Sequence, residues 1–161
     1  MKLSVVTHKE WKAVSNGHPE DCQPMVAYLH NENDDLDWAV DFFSKDEHFN
    51  LYRVVFEETP KLSPYLWTVN VGHYNQTHCG DGYPKLPISL LTRTSTSVHQ
   101  DSIQHCFDIC KSTIDFFEHI FGKPYPFSKL DLVLCPMVRY TAMECAGCIV
   151  FTENMLGGQR L

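Results

Sequence analysis

Glu144 stands alone between two apolar runs, Leu130 to Cys135 and Cys148 to Phe151. A carboxylate placed there can pair with a cation brought to the edge of a sheet. The other side chains with reactive spacing are cysteines. Cys145 and Cys148 have the C-x-x-C spacing of a zinc half-site or a dithiol, and Cys106 and Cys110 lie one helical turn apart. A zinc ribbon needs a second C-x-x-C pair, and thioredoxin-type chemistry wants its pair at a helix N-terminus, whereas this pair leads into a strand. Cys145 and Cys148 read as ordinary buried or edge thiols. None of the nine histidines has another four residues away, the spacing at which one helix face grips a single ion. The expectation is a chain with no catalytic group and no metal ligand of its own.

The elements that must carry Glu144 are legible around it. Ile103, Phe107, Cys110, Ile114, Phe117 and Phe121 recur at spacings of three and four, which predicts an amphipathic helix over 97–121 with this stripe in the core. Ser95 to Ser97 offer capping hydroxyls, Gly122 can close the helix left-handed, and Pro124 and Pro126 prevent its continuation. Leu130, Leu132 and Leu134 alternate with Asp131, Val133 and Cys135 as in a strand with at least one buried face, and Pro136 ends it. A loop from Met137 to Ala142 then delivers Met143 and Glu144 to the second apolar strand.

Upstream, 2–16 reads as a strand running into a turn at Ser15-Asn16-Gly17. His18 to Asp37 reads as an exposed loop whose Asn31 to Asp37 cluster is a solvated surface, able at most to hold calcium weakly. Tyr52 to Phe56 and Leu66 to Val71 read as neighbouring strands joined by a proline-punctuated turn, and Pro84 to Leu91 as a further strand. The fold class is α+β.

A chain of 161 residues can bury a core of its own, about 70% of its unfolded surface. A net charge of -7 argues against a nucleic-acid backbone or an anionic membrane as partner. The polar first thirty residues hold no signal peptide, and seven irregularly spaced cysteines favour a reducing, cytoplasmic setting over a disulfide framework.

Lys123 to Pro136 followed by Thr141 to Phe151 resembles the zinc aminopeptidases of the alanyl-aminopeptidase (gluzincin) family, whose exopeptidase motif reads Gly-Ala-Met-Glu-Asn. Here Thr141 stands at the glycine and Cys145 at the asparagine. The phrase TPKLSPYLWTVNVGHY is similar to the end of the family's first domain, and LSVVTHKEWKAVSNG to one of that domain's late strands. The resemblance implies that 1–90 is the end of a saddle-like, β-rich N-terminal domain and that 91–161 opens a thermolysin-like catalytic domain. It implies that Glu144 anchors the substrate's free α-amine, with Ala142 and Met143 lining the same edge. It also implies zinc for the complete enzyme, held by an H-E-x-x-H helix that follows the exopeptidase motif, with a catalytic tyrosine later still.

Neither the zinc helix nor that tyrosine is among these residues, so the expected role is a truncated portion of a zinc aminopeptidase that binds peptide N-termini once the missing segment completes it. The alternative is a non-catalytic relative, a pseudoenzyme serving as a binding or structural subunit. On either reading the unsatisfied edges of a domain junction call for a protein partner or for the remainder of the same chain. A cysteine-based metal or redox module is the third reading.

Overall fold

Five residues in a row, Leu130 to Leu134, are buried, so the strand they form has no solvent face. Such a run suits the interior of a sheet covered on both sides. The computed structural model describes residues 2–24, 50–80, 83–136, 140–156 and 159–160, and its architecture is α+β. Its strands in chain order are β1 (Leu3–His8), β2 (Lys12–Ser15), β3 (Pro19–Pro24), β4 (Leu51–Phe56), β5 (Val69–Gly72), β6 (Tyr74–His78), β7 (Ile88–Arg93), β8 (Thr96–Ser97), β9 (Leu130–Cys135), β10 (Ala142–Met143), β11 (Cys148–Thr152) and β12 (Gln159–Arg160). One long helix, α1 (Gln100–Phe121), lies between β8 and β9.

The main sheet has the order β10-β11-β9-β7-β6. Its centre is parallel, β7 to β9 and β9 to β11, and its two outer pairs are antiparallel. The path β7–α1–β9 is therefore a crossover between parallel neighbours, which a long helix can span. On one face Ile103, Phe107 and Ile114 of α1 pack with Leu90, Leu132 and Leu134. On the other, Val14 of β2 joins Leu91, Val133, Cys148 and Val150. Burial of each such side chain contributes about 1.5–3 kcal/mol, and this two-sided cover makes β9 the centre of the molecule. Three smaller sheets, β1-β4-β3, β2-β5 and β12-β8, complete the described strands.

Several expectations are corrected by tertiary partners. The segments 52–56 and 66–71 are not neighbours: β4 lies between β1 and β3, whereas β5 pairs with β2. The connection 57–68 does not fold back as a hairpin, because its 3₁₀ turn Pro64–Leu66 crosses to the main sheet, where the Leu66 carbonyl accepts from Ala146 N and Asn16 Nδ2. The segment 2–16 holds two strands, and residues 19–24 of the expected loop form β3. The Asn31 to Asp37 cluster lies outside the described residues. Ala142 and Met143, expected in or beside a loop, pair with Phe151 and Val150 as a short edge strand.

Helix α1 begins later than expected. Its N-cap is His99, without a side-chain cap, because Thr96 is in β8 and its hydroxyl donates to the buried Glu153 carboxylate at 3.1 Å. Gly122 closes the helix at φ 62° as expected. The apolar stripe is core only in part: Phe117 is 47% and Phe121 67% exposed, stacked on one another with ring centroids 5.6 Å apart. The last two turns of α1 run past the residues that cover its first half. Among the described residues no helix is long and apolar enough to cross a membrane.

This division of α1 and the sheet gives a direct test by urea denaturation. Leu132→Ala is expected to cost about 2–5 kcal/mol, as for a large-to-small change in a closed core. Phe121→Ala is expected to stay within about 0.5 kcal/mol, as for an exposed site.

Candidate functional site

The three residues singled out by their sequence context lie at one end of the main sheet. Ala142 and Met143 form β10, the outermost strand, half-buried, and Glu144 follows with its side chain exposed. Thr141, in place of a glycine, causes no distortion. Its φ is not positive, and its carbonyl accepts from Thr152 N at 3.1 Å, so the edge runs on in ladder geometry. Met143 packs beneath the edge against the cluster around Val133 and Cys148. An extended strand that is outermost among the described strands, ending in an exposed carboxylate, can receive an extended peptide and pair with a cationic group on it.

Directly behind Glu144 the chain turns inward. Cys145, Ala146 and Gly147 are buried, Cys148 N donates to Cys145 O at 3.1 Å, and Gly147 takes φ +67°. A Cβ on Gly147 would lie 2.6 Å from the Asn16 carbonyl oxygen, so no other residue fits without displacing backbone. Two buried side chains hold this turn from outside. Asn16 donates through Nδ2 to Ala146 O at 2.8 Å and to Leu66 O at 2.7 Å. Lys129 Nζ donates to Gly147 O at 3.0 Å, to Ser15 O at 2.6 Å and to Asp131 Oδ2 at 2.6 Å.

Sequence reasoning missed both supports. Ser15-Asn16-Gly17 carries the composition of an exposed turn, yet Ser15 and Asn16 are 1% and 2% exposed. The available signal for Lys129 was its place, with Asp131, at the mouth of a run otherwise apolar, where an unpaired charge would be costly. A second, half-buried ion pair was equally illegible: Arg93 donates from Nη2 to Glu153 Oε2 at 2.8 Å, joining β7 to the 3₁₀ turn Glu153–Leu156 beyond β11.

The cysteines do not assemble a redox or metal centre at this edge. Burial pushes the Cys148 thiol up to about 12 and raises that of Cys145, so both stay protonated near neutrality. Cys148 Sγ accepts from Asn70 Nδ2 at 3.6 Å, as a packed thiol of the lower core. Cys106 on α1 differs. A hydrogen bond from Cys110 stabilises its thiolate and lowers it below the ordinary thiol value. Among the described residues no three His, Cys, Asp or Glu side chains gather to hold a metal ion. A groove of about 690 Å³ lies elsewhere, between the second half of α1 and residues Lys123 to Pro126, and Glu144 is not among its lining residues.

With this geometry in view, residues 105–160 match the peptidase family M1 domain. The chain is similar to Aminopeptidase N of Streptomyces lividans, 32% identical over 102 residues, which are 62% of this chain and 12% of that protein. It is similar also to Tricorn protease-interacting factor F2 of Thermoplasma acidophilum, 32% identical over 103 residues, 64% of this chain and 12% of the relative. Aminopeptidase M1-B of Oryza sativa is 29% identical over 109 residues, 68% of this chain and 12% of its own length. The chain thus spans about one eighth of the length of these curated relatives.

The thiol assignments predict an order of alkylation. In the folded chain at pH 8 burial keeps Cys148 and Cys145 protonated, so iodoacetamide should label Cys106 well before either. Mass spectrometry of timed digests checks this. Labelling of Cys148 at the rate of the urea-unfolded chain would contradict the buried assignment.

Proposed function

We infer that this chain, which belongs to the alanyl-aminopeptidase family of peptidases across residues 105–160, contributes the edge that receives the N-terminus of a peptide. Glu144 is the anchor for the α-ammonium, and Ala142 and Met143 are the strand beside which the first residues of the peptide lie. The observation that carries this reading is the placement of an exposed carboxylate at the end of a strand that is outermost among the described residues. A charge-assisted contact there is worth about 1.5–3 kcal/mol, enough to select chain ends over internal segments.

Zinc is implied for complete enzymes of the family and would supply water activation and carbonyl polarisation there. The part of the present residues is binding and orientation: Glu144 holds the amine, β10 sets the direction of the backbone, and the buried turn behind them fixes both. On the same reading a junction between a β-rich domain and a catalytic domain falls near residue 90, inside β7, so that the main sheet is built across it.

A second reading, a non-catalytic binding or structural subunit, is favoured by the uncovered apolar half of α1. Ile109, Phe116, Phe117, Ile120 and Phe121 are each between 47% and 67% exposed, and Ile109, Phe117 and Phe121 line the 690 Å³ groove. An apolar face of this extent calls for cover by further polypeptide or by a partner. Sedimentation of the 161-residue chain tests it: self-association or aggregation at micromolar concentration is expected, and a monodisperse monomer would remove the need for a covering partner.

The amine reading is tested by titrating the chain with a leucyl dipeptide amide and with its N-acetylated form, following the backbone amide signals of Met143 and Cys145. The free amine should bind about tenfold or more tightly than the acetylated form, and Glu144→Gln should abolish the difference. Equal responses to the two peptides in the unaltered chain would refute the assignment.

A further inference from the structure

Glu144 is solvent-exposed, so its direction is set by the backbone that carries it. On the strand side that backbone is held by β10. On the other side it is held from outside the span that matches the family domain. The Asn16 side chain is 2% exposed, and its polar atoms address backbone alone: Nδ2 donates to Leu66 O and Ala146 O, and Oδ1 accepts from Thr68 N at 3.0 Å. Leu66 O also accepts from Ala146 N at 3.3 Å, so Asn16 and the turn share one acceptor on the 3₁₀ segment. Only Cys145 separates this knot from Glu144.

We propose that Asn16 is a positioning residue for the peptide-amine edge: from the turn after β2 it locks the Cys145–Gly147 turn and through it aims the Glu144 carboxylate along β10. The proposal rests on the amine-binding reading of Glu144. The chemistry requires a carboxamide. Two donors must meet two carbonyl oxygens while one acceptor meets an N–H, a set that a short planar amide supplies and that serine, aspartate or alanine does not. Ser15, its neighbour, provides the contrast. It is equally buried, but its hydroxyl donates to Thr68 O at 2.8 Å and does not touch the turn. Loss of Ser15 Oγ therefore weakens the same region without freeing Glu144.

The test compares Asn16→Ala and Asn16→Asp with Ser15→Ala, in the whole 161-residue chain, at a temperature where all three are folded by their near-ultraviolet spectra. Asn16→Asp keeps the acceptor for Thr68 N and is isosteric, which guards against a general packing defect in Asn16→Ala. Two readouts are needed. Hydrogen exchange at the Ala146 amide should accelerate about tenfold or more in both Asn16 variants relative to Ser15→Ala. The preference for the free-amine leucyl dipeptide amide over its acetylated form should fall by about tenfold in the Asn16 variants and persist in Ser15→Ala. Unchanged exchange at Ala146 would overturn the claim that Asn16 holds the turn. Faster exchange with an undiminished amine preference would overturn its positioning role. A lack of amine preference in the unaltered chain would instead overturn the reading of Glu144, while the exchange result would still decide whether Asn16 holds the turn.

Discussion

One buried ammonium organises this molecule. Lys129 is 3% exposed, and its three donors are each used, on Ser15 O, Gly147 O and the Asp131 carboxylate. A lysine taken out of water costs several kcal/mol, and the cost is offset only where a counter-charge and well-placed carbonyls surround it. Here those groups come from β2, from the turn before β11 and from β9 itself. The lysine can be buried only if all three are in place, so the ion makes the end of β2, the entry to β9 and the turn behind Glu144 interdependent. Removing either charge would leave its partner buried and unpaired.

The same arrangement explains how a short edge strand can be well defined. β10 has two residues, too few to specify their own register. Its register is transmitted by the turn that follows, which is fixed at Ala146 by Asn16 and at Gly147 by Lys129, and by β11, whose parallel pairing with β9 runs from Cys148 to Thr152. The outer edge of the sheet thus inherits its geometry from the most buried strand. The second half of α1 is tied from its polar side, Asp115 accepting from Tyr83 and Lys85 and Glu118 from Tyr125 N, and it presents Phe116, Phe117 and Phe121 to solvent.

Much of this was legible in the chain itself. The 3.6-residue period placed α1, the left-handed requirement at its end placed Gly122, and alternation followed by Pro136 bounded β9 to within a residue. The pairing of Ala142 and Met143 with Phe151 and Val150 was not legible, because a two-residue strand carries no period of its own. Strand partners were not legible. The apolar residues of 52–56 pack equally well beside any strand of suitable pattern, and the choice of β1 and β3 over β5 depends on the route of the connection 57–68. The capping prediction failed for a similar reason: the Thr96 hydroxyl could serve the helix or Glu153, and the buried carboxylate, far in sequence, took it.

What the sequence by itself determined is what depends on short-range chemistry: helix and strand periods, the glycine and proline stops, the acidic balance and the identity of the carboxylate at the edge. Tertiary structure alone decided which polar residues are buried. Asn16 in a turn-like triplet and Lys129 beside an aspartate look like surface residues in any local window. They became the supports of the Cys145–Gly147 turn because three separated segments converge there, and backbone carbonyls removed from water need donors from whichever side chains lie within about 3 Å.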